Sequence, residues 1–169
     1  AELQLNNSGD TSFAGCTFDK VTVSPYGKGN NNGNTNEQNI ASFTDCEFAN
    51  VTDKYAIKDV YAGNVTVENC TFNNCGGGIY LEGDAKKGTI DISDNNFTNI
   101  GTKGLIQFSA KGDYTNADII LDGNTASNCG PILRQLNQGI ADNDVLSKNL
   151  KGDLTGLGGE LTFTGDSVK

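Results

Sequence analysis

Hydrophobic and polar positions alternate in short runs along this chain, and the runs recur with one shared pattern. Five segments align on it, beginning at Thr11, Ala41, Val65, Ile90 and Ile119. The pattern is Φ-x-Φ-x-x-[Cys/Asn]-x-[Phe/Ala]-x-x-[Val/Ile/Cys], where Φ is usually apolar, and Asn usually precedes the last position. Successive start points lie 30, 24, 25 and 29 residues apart. Repeats of this length predict a stack of similar structural units.

Each repeat predicts two strands. It opens with a period-2 alternation, which is typical of a strand with one buried face. A polar step rich in Asp, Asn and Gly then turns the chain. A second apolar run follows, as in 78–81, 104–108 and 131–136. One unit cannot bury its apolar face alone, but stacking units about 4.8 Å apart buries that face and pairs every strand.

Stacking places equivalent residues of successive coils in three columns. An Asn in the first column can bond the Asn or backbone of the next coil, and a Cys fills the same space as a small hydrophobe. We therefore expect buried free thiols, because stacked parallel side chains suit disulfide geometry poorly. The columns are Cys16, Cys46, Cys70, Asn95 and Asn124; Phe18, Phe48, Phe72, Phe97 and Ala126; and Val21, Val51, Cys75, Ile100 and Cys129.

The predicted fold is all-β: one right-handed, single-stranded parallel β-helix of about five to six coils. It spans residues 1–169, with coils near 11–40, 41–64, 65–89, 90–118 and 119–144, and a weak coil or cap at 145–169. Leu3-Gln-Leu5 occupies the second-strand position of an earlier coil, so we expect a fragment of a longer protein. Leu161-Thr-Phe163 is expected to form a final strand over the last rung.

The segment Asn69-Cys-Thr-Phe-Asn-Asn-Cys-Gly-Gly-Gly-Ile-Tyr-Leu81 resembles the parallel β-helix repeat of the pectate-lyase-like superfamily. The resemblance covers about residues 3–155 and is structural rather than catalytic. It is most similar to β-helix segments of uncharacterised secreted bacterial surface proteins. That resemblance implies an extracellular or cell-surface location, and adhesion or carbohydrate binding as the role. Lyases that act on uronic-acid polymers share the fold.

Composition excludes several functions. The chain has 21 acidic and 12 basic residues, a net charge of −9. Such a charge disfavours nucleic acid, whose binding depends on Lys and Arg neutralising phosphates. No apolar run approaches the roughly 20 residues of a membrane helix, so membrane insertion is not expected. The sequence contains no His, which excludes an imidazole base, a His metal ligand and a Ser-His-Asp triad.

A shallow glycan-binding strip is the main candidate site. Arg134, the single Arg of the chain, could pair with a uronate carboxylate through two hydrogen bonds. Its expected rung neighbours are Ala56, Tyr80 and either Leu105 or Ile106, and the long segments 27–39 and 109–116 would flank the strip. The two tyrosine rings could stack on sugars. The candidate residues are Tyr55, Lys58, Tyr80, Glu82, Gln107 and Arg134.

No cofactor is expected, although calcium is an open alternative. The pectate-lyase-like resemblance implies that acidic residues on adjacent rungs can clamp this ion, and Glu68, Asp91 and Asp122 occupy such positions. Calcium takes six or more oxygen ligands, and this strip supplies few, so a solvated acidic face is the competing interpretation.

Two functions follow from these observations. The first is a non-catalytic secreted or cell-surface domain for adhesion or glycan contact. Its partners would be a polysaccharide or a host or cell-surface glycan, together with neighbouring coils or domains of a longer chain. The alternative is a polysaccharide lyase or related carbohydrate-active enzyme acting on uronic-acid polymers. A purely structural spacer is a third interpretation, and it predicts no glycan binding.

Overall fold

The structure, a computed structural model, describes residues 1–5, 9–25, 36–60, 62–82, 88–109, 117–136, 150–157 and 163–164. The regular elements in these ranges are eighteen β-strands and one 3₁₀ turn, η1 (Thr155–Leu157). All strand pairs are parallel and join equivalent strands of successive coils. The predicted all-β, right-handed parallel β-helix is confirmed.

The strands form three sheets, one along each side of the coil stack. Sheet A contains β1 (Glu2–Gln4), β4 (Thr22–Ser24), β7 (Tyr55–Val60), β10 (Gly77–Leu81), β13 (Ile106–Ser109), β16 (Leu133–Leu136) and β18 (Phe163–Thr164). Sheet B contains β2 (Thr11–Ala14), β5 (Asn36–Thr44), β8 (Ala62–Glu68), β11 (Thr89–Ser93), β14 (Asp118–Ile120) and β17 (Leu150–Lys151). Sheet C contains β3 (Thr17–Asp19), β6 (Glu47–Ala49), β9 (Thr71–Asn73), β12 (Asn96–Thr98) and β15 (Thr125–Ser127).

A coil therefore contains three strands, not the two that the sequence predicts. The x-Phe-x segment after each Cys or Asn is a three-residue strand of its own, in sheet C. It is separated from the neighbouring strands because one residue on each side adopts a left-handed backbone conformation. These ten residues have φ between 53° and 64°: Gly15, Asp45, Asn69, Asp94 and Gly123 before sheet C, and Lys20, Asn50, Asn74, Asn99 and Asn128 after it. Gly, Asn and Asp tolerate that region better than other residues.

The register of sheet B matches the repeat spacing read from the sequence. Thr11 pairs with Ala41, Ala41 with Val65, Val65 with Ile90, and Ile90 with Ile119. Pairing continues beyond the five aligned repeats, since Ile119 pairs with Leu150. At the two ends of sheet A, Leu3 pairs with Val23 and Leu133 with Phe163. Val145–Asn149 and Leu161–Thr162 lie outside the described residues.

The predicted file of phenylalanines runs through the core. Ring centroids lie 5.0 Å apart for Phe18 and Phe48, 4.9 Å for Phe48 and Phe72, and 4.7 Å for Phe72 and Phe97. The rings are nearly parallel, with interplanar angles of 15°, 8° and 12°. Stacked aromatic pairs of this kind add to the stabilisation from burial itself. Ala126, in register with Phe97, ends the file, and Leu157 of η1 is buried in the same core.

In the first column, the side-chain amides of Asn95 and Asn124 and the thiols of the preceding coils form hydrogen bonds between successive coils. The Asn95 side chain donates to the Val67 carbonyl at 2.8 Å and to Asn124 Oδ1 at 3.0 Å, and its Oδ1 accepts from the Cys70 N–H at 2.8 Å. Cys70 repeats this arrangement one coil earlier: its thiol donates to the Phe43 carbonyl at 3.5 Å and accepts from the Cys46 N–H at 3.4 Å. A thiol thus substitutes for an amide at the same bend.

All five cysteines are free, as predicted, but only Cys46, Cys70 and Cys75 are buried, whereas Cys16 and Cys129 are half-buried. Burial raises the pKa of the Cys70 thiol to about 12 and also raises the pKa of Cys46 and of Cys75. These three thiols therefore stay protonated near neutral pH, and a protonated thiol is a poor nucleophile.

Candidate functional site

The outer face of sheet A brings four of the six glycan-binding candidates into neighbouring rungs. Tyr80 pairs with Gln107, and Gln107 pairs with Arg134. Lys58 lies beside Tyr80, because Ile57 pairs with Ile79. Tyr80 and Lys58 point away from the core, since the preceding residues Ile79 and Ile57 belong to it.

The expected neighbours of Arg134 were partly wrong in register. Ile106 pairs with Leu133, so Gln107, and not Leu105 or Ile106, lies beside Arg134. Likewise Ile57 pairs with Ile79, so Ala56 does not share the rung position of Tyr80. The cause is turn length: three residues lie between Cys75 and its strand residue Ile79, but five lie between Ile100 and Ile106. The insertion of two residues in the fourth coil shifts the sequence relative to the rungs.

Tyr55 and Gln107 do not contribute an open surface. Tyr55 is 9% exposed and Gln107 is 2% exposed. The Tyr55 hydroxyl bonds the Gln107 side chain and the Lys103 carbonyl. The Tyr55 ring lies against Gly77, where an added Cβ would be 2.5 Å from it, and Lys103 Nζ is 5.8 Å from the ring centroid. Through these contacts, Tyr55 and Gln107 connect three successive coils.

Tyr80, Lys58 and Glu82 are half-buried. The Tyr80 ring packs on Tyr55 with a centroid separation of 5.4 Å. Lys58 Nζ is 3.1 Å from a Glu2 carboxylate oxygen, and 27% of the Lys58 side chain is exposed. For Arg134, the structure describes the backbone pairing with Gln107. Of the segments expected to flank this strip, residues 27–35 and 110–116 lie outside the described residues. Residues 36–39, expected in a loop, belong to β5, and Ser109 ends β13.

Of the three calcium candidates, Glu68 and Asp91 lie on the outer face of sheet B and Asp122 follows the end of β14. Asp91 pairs with Thr66 and Ser93 pairs with Glu68, so Glu68 and Asp91 are diagonal neighbours, as expected. Asp91 accepts a bond from Ser93, and Asp122 Oδ1 accepts one from the Asp153 N–H. Within the described ranges, no three Cys, Asp or Glu side chains converge in a way that could hold a metal ion.

Among the described residues, the outward side chains of sheet C are more exposed than those of sheets A and B. They were not among the predicted site residues. In β9, β12 and β15 the central residues Phe72, Phe97 and Ala126 point into the core. The flanking residues point outward: Thr71 and Asn73, Asn96 and Thr98, and Thr125 and Ser127. Five of these six side chains are exposed and Thr98 is half-buried. All six are uncharged. We call this surface the sheet C ladder.

The signal for this ladder is present in the repeat. Its members are the two x positions on either side of the Phe or Ala column, and in coils three to five they hold only Thr, Ser and Asn. The signal was missed because the sequence analysis predicted two strands in each repeat and assigned the x-Phe-x segment to neither of them. Once that segment is recognised as a strand, alternation alone assigns these six residues to the outer face.

The family of the chain follows from its fold and from a sequence comparison. The family described as right handed beta helix region matches residues 36–165. This is well over half of the chain, which therefore belongs to that family. No curated protein and no solved structure matches the chain significantly. In the described part of the chain, no helix has the length and apolarity needed to cross a membrane.

Proposed function

We propose that this chain is a non-catalytic extracellular or cell-surface domain that contacts a polymeric glycan with its outward-facing side chains. The observation that carries the proposal is repetition: equivalent exposed polar positions recur on successive rungs of a rigid stack. A polymer presents its own repeated unit, so one contact can be made again at the next rung. The extracellular location rests on the resemblance to secreted surface β-helix segments.

The chemistry of the chain supports a binding role more than a catalytic one. The sequence lacks His, and the raised pKa of Cys46, Cys70 and Cys75 keeps those thiols protonated. Two of the strip candidates, Tyr55 and Gln107, are buried and bonded to each other. A general base, in contrast, has to reach a substrate proton at hydrogen-bond distance.

A glycan array probed with the labelled, folded chain tests the proposal. We expect binding to at least one polymeric glycan and no binding by the heat-unfolded chain. Failure to bind any glycan would favour the structural-spacer interpretation and contradict the proposal. Incubation with polygalacturonate, alginate and chondroitin, monitored by the ultraviolet absorbance of an unsaturated product, tests the lyase alternative. Product formation that disappears in Arg134→Ala would establish catalysis and overturn the non-catalytic assignment.

A further inference from the structure

The sheet C ladder carries no charge, although the chain as a whole is acidic. The whole sequence carries 21 acidic and 12 basic residues, but the six outward positions of β9, β12 and β15 carry none. The same positions in the first two coils include Asp19 and Glu47. From this contrast we propose that the sheet C ladder binds a neutral polysaccharide chain lying across the rungs. The inference rests on the proposed glycan contact and names its surface and its ligand class.

The ladder offers regular hydrogen-bonding groups. Adjacent rungs are about 4.8 Å apart, and alternate residues of one strand are about 6.6 Å apart. The six side chains therefore form a grid of two columns and three rungs. Thr and Ser hydroxyls and Asn amides both donate and accept hydrogen bonds, as sugar hydroxyls do. A chain crossing the rungs would meet equivalent groups at each step.

The grid is held rigidly. Phe72 and Phe97 stack beneath it at 4.7 Å, and left-handed residues bend the chain at both margins of each strand. Along one margin, the Asn128 amide donates to Asn99 Oδ1 at 2.7 Å. Within the ladder, the Thr98 hydroxyl donates to Asn96 Oδ1 at 3.2 Å. A surface fixed in advance loses less conformational entropy on binding.

The surrounding charges favour a neutral ligand over an acidic one. The ladder itself contains no cation that could pair with a uronate carboxylate. The cleft beside it, between sheets B and C, is lined by Asp45, Glu68 and Asp94 together with Thr44 and Asn69. With a net charge of −9, the chain repels polyanions. Neutral sugars escape this repulsion.

Affinity electrophoresis in native gels containing dissolved polysaccharide tests the inference. The probes are hydroxyethyl cellulose and galactomannan as neutral polymers and polygalacturonate as the acidic one. The test variant combines Thr71→Ala, Asn96→Ala and Thr125→Ala, which removes one column. Matched controls are Thr44→Ala with Thr66→Ala on sheet B, and Tyr80→Ala on sheet A. Thr71→Ser, which keeps the hydroxyl, controls for shape. The ladder substitutions lie at exposed side chains and should change stability little. Thermal unfolding checks that every variant is folded, including Tyr80→Ala, which removes a half-buried ring packed on Tyr55.

We expect a neutral polymer to retard the parent chain, both control variants and Thr71→Ser. Loss of about three hydrogen bonds should weaken binding by the ladder variant at least about tenfold. Retardation by a neutral polymer that is lost only in Tyr80→Ala would overturn the ladder while sparing the proposed glycan contact. Retardation by polygalacturonate alone would overturn the neutral ligand class. Absence of retardation in every gel, together with a blank glycan array, would overturn the glycan contact itself.

Discussion

Replacing the buried Asn95 side chain tests whether hydrogen bonds between stacked amides hold successive coils together. Asn95→Ala deletes three side-chain hydrogen bonds, with Val67, Asn124 and Cys70. Asn95 is 1% exposed, so water cannot easily replace these partners. A buried polar group left without a partner costs about 1–3 kcal/mol. Because the Cys70 N–H loses its acceptor and the bonds to Val67 and Asn124 are lost as well, we expect a total loss of about 3–5 kcal/mol.

Urea unfolding followed by circular dichroism measures this loss, and a thermal shift on the order of 10 °C should accompany it. Asn95→Cys should cost clearly less than Asn95→Ala, because Cys70 makes equivalent contacts one coil earlier. Asn96→Ala, the exposed neighbour, should change stability by no more than about 0.5 kcal/mol. A loss below about 1 kcal/mol for Asn95→Ala, or equal losses for the Ala and Cys variants, would refute the idea that these hydrogen bonds hold successive coils together.

Three further outcomes follow from the packing and the thiols. Phe72→Ala should destabilise the chain by about 3–5 kcal/mol, because it removes a stacked ring from the core. Ile40→Ala, at a side chain that is 44% exposed, should change stability little. Equal losses of stability in urea titrations would contradict the burial pattern. Gly78→Ala should destabilise the chain by about 1–3 kcal/mol, because the added Cβ would lie 2.3 Å from the Leu105 carbonyl oxygen. In Gly9→Ala the added Cβ has no neighbour within 4 Å, so this variant is the control in the same urea assay. An unchanged urea midpoint for Gly78→Ala would argue against this close approach. The pKa of the Cys70 thiol is raised from its ordinary value near 9 to about 12, so this thiol loses its proton at lower pH in the unfolded chain than in the folded one. The free energy of unfolding should therefore be full below about pH 8.5 and decline as the pH rises toward 12. Cys70→Ala should weaken this decline in unfolding curves, and an identical pH profile would contradict the assigned shift.

Most of the fold could be predicted because the repeat places the same residue type at the same step of every coil. Phe18, Phe48, Phe72 and Phe97 align in sequence, and their rings stack in space. The position of Asn95 likewise predicted its bond to Asn124. Each column holds the residues at one step of the repeat, so it can be predicted even when the coils differ in length.

The candidate site was less predictable, because it depends on turns whose length varies between coils. Two extra residues between Ile100 and Ile106 brought Gln107, and not Ile106, next to Arg134. Burial of Gln107 beneath the outer surface of sheet A has no counterpart in the repeat pattern. The sheet C ladder was hidden for a different reason: its strands are only three residues long, too short to show alternation by themselves.

A crystal structure of the chain would show whether equivalent residues of successive coils stack on one another. We expect four phenylalanine rings in one file, at 4.7–5.0 Å between neighbouring centroids, with Thr71, Asn96 and Thr125 side by side on the solvent face. Antiparallel pairing of these strands, or phenylalanines dispersed among separate clusters, would contradict it.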